Sequence, residues 1–356
     1  MLRESAGARG VRVLIVDDSN FAKRMIAKHL SADQGIEIIG YASDGRDAIE
    51  KVRSLNPDVV TLDLQMPGMD GLTALRHIMA ECPVPVVVVS SHAGQDAQPT
   101  IEALELGAVD FFLKPSPANP VGVDGTGTNL AQKVKQAAKI PRPRLGYIAR
   151  RVSGTPAVGR GKPRAARDLN RVVVIGASTG GPRALCAVVP VLPADIPAAI
   201  LIVQHMPPEF TGSLAKRLGD MSQIAVREAR TGDSIQRGLG LVAPGGFHMV
   251  VTGDGDIGLN QDPLVCNVRP SVDVTMQSVT RAYGAKCLGV VLTGMGSDGS
   301  DGAAAIKAAG GGVVVEAEST CTVYGMPKSV VDAGNADKIV PLHEMAEEIV
   351  RMCAME

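Results

Sequence analysis

The β-branched run Val172-Val173-Val174-Ile175 leads without a polar break into Gly176-Ala177-Ser178-Thr179-Gly180-Gly181. The run reads as a strand, and the glycines stand where a helix should begin, so the chain must turn a sharp corner at Ser178. Such a corner exposes a hydroxyl at the carboxyl end of a strand, with backbone N–H groups beside it. Ala198-Ala199-Ile200-Leu201-Ile202-Val203-Gln204 delivers His205 in the same way. Leu288-Gly289-Val290-Val291-Leu292-Thr293-Gly294 leads into a loop carrying Asp298. A serine, a histidine and an aspartate at three parallel strand ends can converge on one crevice, where open α/β sheets place their ligands.

The first part of the chain carries the same alternation. Strands are expected at Val11–Val16, Ile36–Tyr41, Asp58–Leu62, Val84–Val89 and Val109–Phe112, and helices at Asn20–Leu30, Arg46–Leu55, Leu72–Ala80, Thr100–Leu106 and Leu130–Ala138. Strands alternating with helices predict a parallel, doubly wound sheet. Between Lys139 and Asp168 the periodicity stops, and nine basic residues mix with prolines and glycines. That stretch reads as an interdomain linker. From 171 onward the alternation returns, ending in an amphipathic helix from Pro341 to Met352. At 356 residues the chain exceeds one ordinary core and suits two domains. The expected division is an N-terminal extension over 1–10, a domain over 11–138, a linker over 139–168 and a second α/β domain over 169–356.

A net charge of −1, 3% aromatics and no tryptophan argue against nucleic-acid binding. Six scattered cysteines without a Cys-x-x-Cys argue against a zinc site or disulfide scaffold. No apolar run approaches the ~20 residues of a spanning helix and no signal peptide is recognisable. A cytoplasmic protein without membrane insertion is expected.

In the first domain, Asp17 and Asp18 follow the first strand, Asp63 ends the third, Ser90 ends the fourth and Lys114 follows the fifth. Clustered carboxylates repel one another and call for a hard cation, for which Mg²⁺ with oxygen ligands is suited. Asp63 could then attack a phosphoryl donor, with Lys114 neutralising the transferred oxygens and Ser90 donating a hydrogen bond.

In the second domain, Gly176-Ala177-Ser178-Thr179-Gly180 matches the Gly-x-Ser-x-Gly nucleophile elbow. The order Ser178, His205, Asp298 is not that of an α/β-hydrolase, but triads are defined by geometry. His205 would act as base and then acid, and Asp298 would hold its tautomer. N–H groups at Thr179 to Gly181 and at Met295 could form an oxyanion hole. Plainer readings compete: Ser178 as a helix N-cap, His205 as a loop histidine and Asp298 as a turn residue. His248 and His343 are rival bases, and Asp273 and Asp195 rival acids.

Val16-Asp17-Asp18-Ser19, Leu62-Asp63-Leu64-Gln65-Met66-Pro67-Gly68-Met69-Asp70-Gly71 and Lys114-Pro115 resemble the receiver domain of two-component response regulators. The resemblance implies a flavodoxin-like fold with a five-stranded parallel sheet and phosphorylation at Asp63. It implies Mg²⁺ held by Asp17, Asp18, Asp63 and the backbone carbonyl of Gln65, and a switch formed by Ser90, Phe111 and Lys114. Gln65 stands where receivers joined to an output domain of this chain's kind usually carry an acidic residue. Ile175 to Gly181, Gln204-His205-Met206-Pro207, Ala243-Pro244-Gly245-Gly246, Arg269-Pro270-Ser271-Val272-Asp273 and Leu292 to Gly299 resemble the catalytic domain of the CheB chemotaxis methylesterases. A doubly wound, mostly parallel α/β fold is implied, with nucleophile Ser178, base His205, acid Asp298 and an oxyanion contact by Thr179 and Met295. The implied activity is hydrolysis of glutamyl methyl esters on methyl-accepting chemoreceptors, together with deamidation of receptor glutamines, with no cofactor for hydrolysis. A histidine kinase would be the phosphodonor, and the receiver would cover the active-site cleft until Asp63 is phosphorylated. Two other functions fit less well. A DNA-binding output lacks a helix-turn-helix pattern, and a nucleotide site lacks Gly-x-Gly-x-x-Gly or P-loop spacing.

Overall fold

The computed structural model describes residues 10–90, 97–114, 129–141 and 169–354. They form two compact units, each built on its own parallel sheet. The amino-terminal residues 1–9 and residues 142–168 of the expected linker lie outside the described residues.

In the first unit, strands β1 (Val11–Val16), β2 (Ile36–Ala42), β3 (Val59–Leu62), β4 (Val86–Ser90) and β5 (Asp110–Leu113) alternate with helices. Those helices are α1 (Asn20–Ser31), α2 (Gly45–Leu55), α3 (Gly71–Glu81), α4 (Gln98–Glu105) and α5 (Leu130–Ala137). The strand order β2-β1-β3-β4-β5 is parallel throughout. β3 and β4 are buried at every position, as a sheet covered on both faces requires. Helix starts follow local chemistry: the side chains of Ser19, Asp44, Asp70 and Asn129 each accept a backbone N–H from the first turn of α1, α2, α3 and α5. The chain winds outward in opposite directions from β1 and β3, so the crevice above that switch point receives Asp17 and Asp63.

The second unit contains β6 (Arg171–Ala177), α6 (Gly181–Val188), β7 (Ala198–Gln204), α7 (Pro208–Met221), β8 (Ala225–Glu228), β9 (Leu239–Val242), β10 (His248–Val251) and β11 (Ile257–Asn260). It continues with α8 (Val272–Tyr283), β12 (Cys287–Val291), α9 (Ser300–Ala308), β13 (Gly312–Glu316), α10 (Met326–Asp332), β14 (Lys338–Val340) and α11 (Leu342–Ala354). Among the described residues, seven strands form a parallel sheet in the order β14-β13-β12-β6-β7-β9-β8. β10 and β11 form a separate antiparallel pair, which strand–helix alternation does not foresee. Thr252-Gly253-Asp254-Gly255-Asp256 joins them, too short for a crossover, and Gly255 takes a φ of 83° that a turn demands.

One buried cluster takes Val172 and Val174 from β6, Leu201 and Val203 from β7, and Val272, Met276 and Val279 from α8. Gly176 makes the closest part of this packing possible. A Cβ there would lie 2.5 Å from Val272 Cγ1, so only glycine lets the first turn of α8 approach the end of β6. β6 is the first strand of this unit and is flanked by β7 and β12. The crevice at its carboxyl end is therefore the switch point of the second sheet.

Candidate active site

Parallel register does most of the assembly. Ala177 pairs with Gln204 at the last step of β6 and β7, so Ser178 and His205 leave adjacent strands side by side. The His205 N–H donates to the Ala177 carbonyl at 3.0 Å. On the other flank, the Ser178 N–H donates to the Thr293 carbonyl just past β12, also at 3.0 Å. Gly294 follows, and a Cβ there would stand 2.8 Å from Ser178 Cβ. Ser178 and Thr179 are partly exposed. The cap of α6 is Gly180, at φ 79° and without a side-chain hydrogen bond, so Ser178 is not tied up as an N-cap.

His205 Nε2 lies 2.7 Å from Asp298 Oδ2, with the histidine side chain 4% exposed and the aspartate 2%. Three further donors converge on that carboxylate. Ser271 Oγ–H and the Asp273 N–H reach Oδ1 at 2.8 and 3.0 Å, and the Val272 N–H reaches Oδ2 at 2.7 Å. The anion thus sits on the N-terminus of α8, where dipole and free N–H groups favour negative charge. Burial by itself would raise its pKa, but the His205 hydrogen bond and charge, with the α8 donors, hold it down at about 2. An ionised carboxylate only accepts, so the shared proton rests on His205 Nε2 and leaves Nδ1 as the basic nitrogen.

Asp273, a rival acid by sequence, lies beside this pair with a different task. Its Oδ1 accepts from the Gly299 and Gly302 N–H groups at 2.9 and 2.7 Å and so pins the loop that presents Asp298. Burial and the Asp298 charge push its pKa up to about 7. The remaining rivals have partners elsewhere. His248 is fully buried with Nε2 on the Pro263 carbonyl, His343 is an exposed partner of Glu344, and Asp195 offers its carbonyl to Arg237. Met295, 39% exposed, lies one residue beyond Gly294. Two supporting residues lie in motifs that carry the resemblance, but the sequence does not reveal their role. Gln204 Nε2 donates to both the Ser178 and His205 carbonyls, at 2.9 and 3.0 Å, and Ser271 caps α8 while holding Asp298.

The first unit gathers a second cluster. Lys114 Nζ bridges Asp17 Oδ2 at 2.7 Å and Asp63 Oδ2 at 2.8 Å. Asp17, Asp18 and Asp63 each offer a carboxylate oxygen within 4.8 Å of the others. Asp17 and Asp63 are buried and Asp18 is exposed. Burial raises the Asp63 pKa in spite of Lys114. Burial opposes the Lys114 charge, yet its hydrogen bonds to the two aspartates carry its pKa up. Three carboxylates against one cation suit a hard divalent ion, so the donor set fits Mg²⁺. Gln65 has its N–H on Asp63 Oδ1 at 3.3 Å and its side chain exposed, so the substitution leaves the backbone carbonyl in play. Ser90 and Phe111 are both 4% exposed. Lys133 Nζ sits 5.5 Å from the centroid of the Phe111 ring.

Each of the two units matches a known family. The family model "CheB methylesterase" matches residues 173–349, and "Response regulator receiver domain" matches residues 13–121. A protein-glutamate methylesterase/protein-glutamine glutaminase of Symbiobacterium thermophilum is 49% identical over 96% of this chain and 97% of its own length. A Pyrococcus abyssi protein of the same description is 42% identical over 98% of this chain and 95% of its own. The crystal structure of the Thermotoga maritima CheB methylesterase catalytic domain is similar at a TM-score of 0.50 and 44% identity, covering 51% of this chain and 98% of that one. The chain belongs to the protein-glutamate methylesterase/protein-glutamine glutaminase family, in the form that joins a response-regulator receiver to a CheB methylesterase domain.

Proposed function

We propose that this protein hydrolyses γ-glutamyl methyl esters on chemoreceptors through a Ser178–His205–Asp298 triad, and that phosphorylation of Asp63 raises this activity. The observation that carries the reading is the saturated Asp298 carboxylate bonded to His205 Nε2, at a strand end in register with Ser178. That arrangement fixes the tautomer in which Nδ1 takes the serine proton. Ser178 Oγ attacks the ester carbonyl, and the tetrahedral oxyanion is met by N–H groups at Thr179 and Met295. As the C–O bond breaks, His205 returns the proton to methoxide and methanol leaves. Water then adds to the acyl-enzyme with His205 again as base, releasing glutamate and restoring Ser178. A receptor glutamine follows the same route with ammonia as leaving group, consistent with the glutaminase activity in the relatives' names.

In the receiver, Asp63 accepts the phosphoryl group from a histidine kinase. Lys114 neutralises its oxygens and Ser90 hydrogen-bonds one of them. Mg²⁺, when held by Asp17, Asp18, Asp63 and the Gln65 carbonyl, offsets the charge that develops on the transferring group. The signalling role that follows is adaptation of chemoreceptors.

The test is mass spectrometry of receptor cytoplasmic fragments bearing glutamyl methyl esters. Wild-type protein should convert ester and glutamine sites to free glutamate, and Ser178→Ala should convert neither. Conversion by Ser178→Ala at the wild-type rate would overturn the triad.

A further inference from the structure

Glu316 ends β13 with no exposed surface, and the proposed chemistry leaves it without a task. Its Oε2 accepts the Thr293 N–H at 2.8 Å. Thr293 is the residue whose carbonyl accepts the Ser178 N–H. Its hydroxyl stands 3.0 Å from the Thr179 carbonyl and 3.3 Å from the Val323 carbonyl, and accepts the Val323 N–H at 2.9 Å. One buried side chain therefore fixes a residue that touches both the nucleophile and the residue after it. The same residue leads directly into Gly294 and Met295.

We infer that Glu316 is a positioning residue for the esterase: through Thr293 it holds Ser178, Thr179 and the Met295 loop in the arrangement that attack and oxyanion stabilisation need. The inference rests on the esterase reading of Ser178.

A structural role alone accounts poorly for the choice of a carboxylate. Burial pushes its pKa up to about 7, with Arg183 on α6 its charged neighbour, itself lowered to about 10 by burial. A buried acid of this kind destabilises unless its oxygens are used. Among the described residues its Oε1 is buried without a hydrogen-bond partner; beside the Thr293 N–H, the Thr320 and Cys321 side chains and the Arg183 charge also bear on the carboxylate. Displacement of a reacting atom by about 1 Å costs on the order of 10²-fold in rate, and the Thr293 segment touches two catalytic elements.

The experiment measures the rate at which a fluorophosphonate labels Ser178 in the full-length protein. Ser178 Oγ bonds to phosphorus, fluoride leaves and the serine proton passes to His205, so labelling reads nucleophile geometry without any receptor. Glu316→Ala and Glu316→Asp, which keeps charge but withdraws reach, should each label at least about tenfold more slowly. Glu316→Gln, which keeps both reach and an acceptor oxygen, should recover most of the rate. Thr293→Val, which replaces the hydroxyl with a methyl group and keeps the Thr293 N–H for Glu316, should fall between them. With a glutamyl methyl ester peptide, the same variants should lose kcat with KM nearly unchanged. Should Glu316→Ala fail to fold, Glu316→Asp and Thr293→Val carry the comparison. Labelling of Glu316→Asp and Thr293→Val at the wild-type rate, with none in Ser178→Ala, would overturn the positioning role and leave the esterase standing. No labelling of wild type would overturn both.

Discussion

Four donors meet on the Asp298 carboxylate, two from the backbone of α8, one from Ser271 and one from His205. Asp298→Asn puts an NH₂ among these donors and releases the imidazole to the wrong tautomer. The expected loss in kcat is about 10³–10⁴-fold, read from ester hydrolysis at saturating substrate. The same contacts enter stability. Asp298 ionises at about 2 in the fold against about 3.9 unfolded. Its contribution is complete above about pH 4 and is lost as pH falls through 2. Asp273 works in the opposite sense. With a folded pKa of about 7, it keeps its proton where the unfolded chain has released it, so stability falls as pH rises from about 4 to 7. Asp273→Asn keeps an acceptor for the Gly299 and Gly302 N–H groups and removes that titration. Its urea midpoint should drop less than that of wild type between pH 5 and pH 8. An equal drop in both proteins would contradict the assignment.

Strand ends and one helix N-terminus set the site, and each tolerates little change. A Cβ at Gly294 would lie 2.2 Å from Met326 Sδ and 2.8 Å from Ser178 Cβ. Gly294→Ala should therefore push Ser178 aside, destabilising by about 1–3 kcal/mol and cutting esterase activity about 10²-fold. A denaturation curve with parallel kinetics checks both. Ser271→Ala loses the cap of α8 and one bond to Asp298, which should cost about 1–2 kcal/mol and lower kcat more than it raises KM. These elements differ in how much sequence pattern they carry. β6, β7 and β12 read clearly because buried parallel strands are long apolar runs, and the polar residue after each run named Ser178, His205 and the Asp298 loop. The receiver elements differ from expectation by about two residues at most, as at β4, which starts at Val86, just after Pro85, where a start at Val84 is expected. Gln204, Glu316 and Ser271 were not legible as supporting groups. Each acts on backbone atoms of distant residues, and sheet order and register decide those contacts. The β10–β11 pair is not legible in the sequence because two four-residue strands around a glycine-rich turn carry too short an apolar pattern.

At the scale of the whole molecule, two doubly wound sheets each place a side-chain oxygen proposed to react at a switch point, Asp63 in one and Ser178 in the other. In the proposed function the two chemistries are complementary: a carboxylate that takes a phosphoryl group and a hydroxyl that takes an acyl group. Lys114 binds both Asp17 and Asp63, so Lys114→Met should weaken the response to phosphodonor while leaving unstimulated hydrolysis intact, seen as a flat dependence of ester hydrolysis on acetyl phosphate. A response equal to wild type would remove Lys114 from the switch. The most direct test of the central claim is methanol release from methylated receptor membranes, with and without acetyl phosphate and Mg²⁺, for wild type, Ser178→Ala and Asp63→Ala. The account predicts release by wild type that phosphodonor increases, a basal rate without increase in Asp63→Ala, and none in Ser178→Ala. Release that persists in Ser178→Ala, or stimulation that persists in Asp63→Ala, would contradict it.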